Sequence, residues 1–175
     1  IVENSQMPAQ YQQKAWIILA DNAFNSQDYL HAEGLYQTTL ALNGRDTKHN
    51  YSLTEKLAAA IYKQGEEALA ANDLEEAMHQ FLRIRETTPS ASIVSTAEYD
   101  AATAAINFKD YAATITILER FRKSNPEHEL QNDVTLKLAV AYLEVNDLGN
   151  AAIEYERIAQ SDANAGEMQR EALLK

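Results

Sequence analysis

The sequence predicts an all-α fold, a solenoid of antiparallel helix hairpins, and three observations carry that prediction. Glycine and proline are scarce, at 5 and 3 in 175 residues. Ala, Leu, Glu and Gln fill the long stretches, so local propensity favours helix along most of the chain. No segment alternates apolar and polar residues in the manner of a half-buried strand. One motif occurs four times, as NSQDYLHAEGLY at 25–36, ANDLEEAMHQF at 71–81, NFKDYAATITIL at 107–118 and VNDLGNAAIEY at 145–155. Each version sets an Asp before a large apolar residue, a small residue near the start of a helical run, and another large apolar residue about a turn later.

The Asp anchors are Asp28, Asp73, Asp110 and Asp147, spaced by 45, 37 and 37 residues, a period in the solenoid range. A carboxylate at such a position accepts bonds from the orphan amides of a first helical turn, where the helix dipole also favours negative charge. The four Asp residues therefore open helices over 29–42, 74–87, 111–123 and 148–160. Asp73 has Glu76 three residues on, a capping-box arrangement. Upstream helices are expected over 9–25, 53–71, 92–108 and 129–145, with Ser52-Leu53-Thr54-Glu55 as the capping box that opens the second of them. Stops come from Asn43-Gly44, Pro89, Pro126 and the SDANAG stretch at 161–166, expected to form a loop. The chain thus divides into hairpins at about 9–44, 53–89, 92–126 and 129–163, with 166–175 starting a further helix, all within one solenoid of residues 1–175.

Small residues account for the expected packing. Ala20, Gly65, Ala102 and Ala139 on the first helices, and Ala32, Ala77 and Ala151 on the second, let helix axes approach closely. Tyr36, Phe81, Leu118 and Tyr155 fill the space between successive hairpins, and Thr114 takes the Ala position in the third. A heptad coiled coil competes as an explanation, but breaks every 37 residues or so deny it a continuous seam.

Composition narrows the function classes. The net charge is −11, with −5 on residues 1–88 and −6 on 89–175, an even negative field that repels phosphate backbones and argues against nucleic acid as a partner. No apolar run approaches the roughly 20 residues of a membrane-spanning helix, so direct membrane insertion within these residues is not expected. The absence of Cys excludes disulfides, thiolate metal sites and a Cys nucleophile. His31, His49, His79 and His128 show no metal-ligand spacing, and no phosphate-binding loop or nucleophile elbow is present. Adjacent acids such as Glu66-Glu67 and Glu75-Glu76 splay apart on a helix and make poor acid/base couples. No catalytic residue, metal or cofactor is expected, and the chain is not read as an enzyme. It begins IVENSQ and ends in mid-pattern, which reads as a piece of a larger protein whose leader or anchor lies elsewhere.

With these residues in register, the chain resembles the tetratricopeptide repeat (TPR) family. Trp16, Leu19, Ala20, Ala32 and Tyr36 carry the first unit, Gly65, Ala77, Phe81 and Pro89 the second, Tyr111 and Pro126 the third, and Leu138, Ala139, Tyr142, Ala151 and Tyr155 the fourth. The spacings exceed the family's period of about 34 residues, with RDTKHNYSLTE at 45–55 holding most of the excess. That longer style is similar to TPR proteins of Gram-negative envelopes, outer-membrane assembly lipoproteins among them. The resemblance implies a right-handed superhelix, a periplasmic or envelope location with the cytoplasm left open, and a concave groove that receives a peptide or partner helix.

Matching the family pattern puts Ile17, Tyr62, Tyr99 and Leu136 in one row of that groove and Phe24, Leu69, Ile106 and Leu143 in a second. Lys14, Asp21, Glu66, Thr96, Thr103 and Asp133 lie beside them. Stacked tyrosines give rigid amphipathic contact area of the kind interface hot spots use, though both rows also read as core between packed helices. Asp21 at a clamp position would repel a terminal carboxylate and excludes a chaperone-tail receptor. Arg83, Arg120 and Arg157, 37 apart, read either as cations that complement helix C-termini and pair with neighbouring Glu, or as an outer basic row for an acidic partner. The expected function is a non-catalytic protein–protein interaction scaffold; the alternative is the targeting solenoid of an enzyme whose catalytic domain lies outside these residues. Cut repeat ends, Leu173 and Leu174 among them, are expected to promote self-association or fraying.

Overall fold

The computed structural model describes residues 8–43 and 47–173. Among these there are eight helices and no strand: α1 (Ala9–Asn25), α2 (Tyr29–Asn43), α3 (Thr47–Ala70), α4 (Leu74–Thr87), α5 (Val94–Phe108), α6 (Tyr111–Ser124), α7 (Gln131–Glu144) and α8 (Leu148–Leu173). The chain forms two compact units, residues 1–104 and 105–175, and the division falls within α5.

One four-residue device joins each first helix to its second. Gln27, Asn72, Lys109 and Asn146 take the left-handed conformation, with φ of 63°, 59°, 66° and 60°. The next residue, always the anchor Asp, donates its amide to the carbonyl five residues back, as Asp28 does to Ala23 at 2.9 Å and Asp73 to Ala68 at 2.8 Å. This is a Schellman closure of the first helix. The same Asp then opens the second helix: Oδ1 of Asp28, Asp73, Asp110 and Asp147 accepts the amide of His31, Glu76, Ala113 and Asn150 at 3.2, 3.1, 2.9 and 3.1 Å. All four expected caps are formed.

Two boundaries differ from expectation. Helix α3 begins at Thr47, so Ser52 is inside the helix and the expected capping box is not used. No Gly or Pro interrupts 47–64, and much of the long first spacing is therefore helix rather than connection. Glu55 instead holds the connection that leads into α5, accepting the Ser92 amide at 2.9 Å and its hydroxyl at 2.7 Å. At the other end, α8 runs through 161–166, where a loop was expected, and 166–173 belongs to the same helix. A lone Gly166 costs about 1 kcal/mol relative to Ala, which does not break a helix that also holds Ala163 and Ala165. Gly44 and Leu174 lie outside the described residues, as do the side chains of His49 and Leu173.

In unit 1 the core holds Ala20, Ala32 and Tyr36 of the first hairpin, Leu57, Ala58, Ile61, Ala77, Phe81 and Ile84 of the second, and Ala97, Ala101 and Ala102 of α5. A Cβ on Gly65 would lie 2.5 Å from the Phe81 ring, so the absent side chain is what admits Phe81. Unit 2 buries Thr114, Leu118, Phe121, Val134, Leu138, Ala139 and Ala151. Thr114 is tolerated there because its hydroxyl bonds the Asp110 carbonyl at 2.9 Å. Tyr155, expected as a filler, is exposed.

Candidate functional site

A pocket of about 450 Å3 opens in unit 1 between α1 (Asp21, Phe24, Asn25), α2 (Tyr36) and α3 (Glu55, Lys56, Ala59). Lys56 Nζ donates to both Asp21 oxygens at 2.7 Å, and the Tyr36 hydroxyl donates to Asp21 Oδ1 at 2.7 Å. Burial pushes the Asp21 carboxyl up, but the bonds from Lys56 and Tyr36 together with the Lys56 charge outweigh it and hold the carboxyl below its ordinary value. Tyr36 is raised, by burial first and then by the Asp21 carboxylate. The Asp21–Lys56 pair is neutral as a whole, Phe24 packs edge-on to Tyr29 at 5.2 Å, and Ala59 leaves space rather than filling it. The result is a mostly apolar cleft with one further acid, Glu55, and an exposed amide, Asn25, at its rim.

A second cluster in unit 1 joins α3 to α5. The Tyr62 hydroxyl donates to Asp100 Oδ2 at 2.6 Å, and its ring packs on Phe81 at 5.0 Å. Burial raises the Asp100 carboxyl and the Glu66 charge adds to this, while the Tyr62 bond opposes it; the net direction is up. Tyr62 is raised too, by burial foremost and then by its bond to the Asp100 carboxylate and by the Asp100 and Glu66 charges. Glu66 is held by Lys63 at 2.5 Å. Tyr99 and Thr103 are half-buried on α5, the Thr103 hydroxyl bonded to the Tyr99 carbonyl at 3.1 Å.

Of the residues singled out in sequence, Asp21 and Phe24 line the pocket, Ile17 is half-buried on α1, and Tyr62 and Glu66 lie in the second cluster. Leu136 belongs to unit 2, where it is exposed on α7. Tyr62 is a structural member as well as a surface one, because its ring and hydroxyl tie α3 to α4 and α5. The basic row has internal partners: Arg83 bonds buried Glu33 at 2.5 Å, and Arg157 lies 4.0 Å from buried Glu154, while Arg120 is exposed. Stronger pairs sit beside that row, with Nε and Nη2 of Arg85 on Glu98 at 2.5 and 2.7 Å and Nη1 and Nη2 of Arg122 on Glu154 at 2.9 and 2.6 Å. Lys56, Tyr36 and Asp100 escaped sequence reasoning as site residues. Their partners are tertiary, as in the 35-residue separation of Asp21 and Lys56; only the 37-residue recurrence of Arg85 and Arg122 was a visible signal. Among the described residues no helix is long and apolar enough to cross a membrane, and no group of three or more His, Asp or Glu could hold a metal ion.

Helix hairpins closed by the same Schellman–Asp device, with a cleft between the first two hairpins, define a TPR-like protein, a fold that supports protein–protein interaction scaffolds in general. The chain belongs to the YfiO outer membrane lipoprotein family, whose model matches residues 54–161. Among solved structures it is similar to BtubC (BKLC) from P. vanneervenii, with 15% identity over 94% of this chain and 68% of that one and a TM-score of 0.53. It is also similar to kinesin light chain TPR-like repeats from Podosopora anserina, with 16% identity over 94% of this chain and 80% of that one and a TM-score of 0.45. No curated protein matches. The likeness to BtubC shows the fold, a TPR-like helical solenoid, and the family is consistent with association with the envelope.

Proposed function

We propose that the chain is the non-catalytic interaction module of a larger bacterial envelope protein, and that it holds a segment of another protein against the first helices of its hairpins. The contact residues are Ile17, Asp21, Phe24, Tyr62, Glu66, Tyr99 and Thr103 in unit 1, and Leu136 in unit 2. The observation that carries this reading is the 450 Å3 pocket, which has apolar walls from Phe24 and Ala59 and a polar edge already organised by the Asp21–Tyr36–Lys56 bonds. Such a site accepts one apolar anchor side chain of a partner without reorganising, the arrangement in which hot spots form. The neutralised Asp21 leaves Glu55 as the net charge, so a terminal carboxylate gains nothing there.

The test is to fill the pocket. Ala59→Phe in the full-length envelope protein is expected to lose the co-purifying partner by tenfold or more while circular dichroism and the melting temperature stay near those of the parent. A partner recovered in equal yield from the filled protein contradicts the assignment.

A further inference from the structure

We propose that α8 pairs with α8 of a second copy of the chain, antiparallel and face to face, in a two-fold dimer. The proposal stands on unit 2 and does not rest on the unit 1 pocket. Leu148, Ala152, Tyr155 and Ala159 are spaced i, i+4, i+7, i+11 and so share one stripe, about 16 Å long. All four are exposed, Leu148 at 62% and Tyr155 at 43%. The stripe runs beside the inward face of α8, where Ala151 and Glu154 are buried. On the earlier second helices the place of Tyr155 is closed: Tyr36, Phe81 and Leu118 are buried, with α3, α5 and α7 following in turn. Among the described residues no helix follows α8, and its stripe is the kind of surface that this fold elsewhere covers with helix.

The order of side chains along the stripe selects its occupant. It reads large, small, large, small. Laid antiparallel about a two-fold axis between residues 153 and 154, two such stripes set Leu148 against Ala159 of the second copy and Ala152 against its Tyr155, and the axis repeats both pairs. Every layer then joins one large side chain to one small one, so the helices approach closely without a gap. Parallel pairing would instead stack Leu148 on Leu148 and Tyr155 on Tyr155, which holds the axes apart and leaves voids at the alanines. The stripe carries no charge that pairing would bury. A contact of this kind closes on itself, so association stops at the dimer. Four residues a side are far fewer than the roughly 20–30 of a standard interface, and each copy carries a charge of −11, so the dimer is weak, with a Kd of about 10–100 µM.

Sedimentation of the 175-residue chain across about 10–500 µM, in about 0.3 M salt to screen the like charges, tests this. A reversible monomer–dimer equilibrium is expected. Ala152→Lys and, independently, Tyr155→Glu should each weaken it at least tenfold with unchanged thermal melting, since both positions are exposed. Mixed in equal amounts, the two variants should recover the dimer, because one layer then sets Lys against Glu while the other keeps Tyr against Ala. A chain that stays monomeric, a dimer indifferent to both substitutions, or a mixture no more associated than its two parts would overturn the proposal.

Discussion

Gly34 and Gly65 both sit inside helices, yet they ask opposite things of a side chain. A Cβ on Gly34 meets nothing within 4 Å, whereas one on Gly65 meets the fully buried Phe81 ring at 2.5 Å. Gly34→Ala is therefore expected to raise unfolding free energy by about 0.5–1 kcal/mol in urea titrations. Gly65→Ala gains the same propensity but overpacks, and a net loss of about 1–2 kcal/mol is expected. The two aspartates of the clusters also oppose each other. Asp21 is lowered in the fold, so its contribution is present above its unfolded value and lost as pH falls through the folded one. Asp100 is raised, so its contribution is present at low pH and lost as pH rises through the folded value. Asn at 100 keeps an acceptor for Tyr62 and removes that loss. The stability of Asp100→Asn relative to the parent should therefore grow between pH 4 and pH 7, and a constant difference across that range would contradict the assignment. Family spacing singled out Asp21, Phe24 and Tyr62, but the groups bonded to Asp21 and Tyr62, Lys56 and Asp100, come from other helices and leave no local pattern.

At the scale of the element, the helix starts were legible because an N-cap is a local event: Asp28, Asp73, Asp110 and Asp147 each bond an amide three residues away. The closures before them were not, since the left-handed position most often holds Gly and here holds Gln27, Asn72, Lys109 and Asn146. Asp73→Ala should cost about 1 kcal/mol. Lys109→Gly should gain about 0.5 kcal/mol, because relief of left-handed strain exceeds the entropy glycine adds to the unfolded chain. Thermal melts of the two variants, with shifts of opposite sign, check the turn. The start of α3 and the length of α8 were misplaced for one reason: Ser52 and the 161–166 stretch carry cap and loop signals, but neighbouring residues propagate helix well enough to override them.

For the whole molecule, the sequence made the hairpin repeat legible through its period and offered arginine–glutamate pairing as one of two readings of the basic row, while the burial of the paired carboxylates stayed hidden. Glu98 is fully buried and both of its oxygens accept from Arg85, so Arg85→Met removes the cation that faces a buried carboxylate and should cost about 3–5 kcal/mol in urea titrations. A cost below about 1 kcal/mol would show that water reaches Glu98. The central claim is that the chain works by holding another protein at the first-helix surface of unit 1. The most direct measurement places a photo-crosslinking amino acid at Asn25, on the pocket rim, and at Arg120, exposed on α6, in the intact protein in cells. The expected result is a discrete protein adduct from position 25 that Ala59→Phe suppresses, with none from position 120. An adduct from position 120 and none from position 25 would contradict the claim and move the working surface to the outer arginine face.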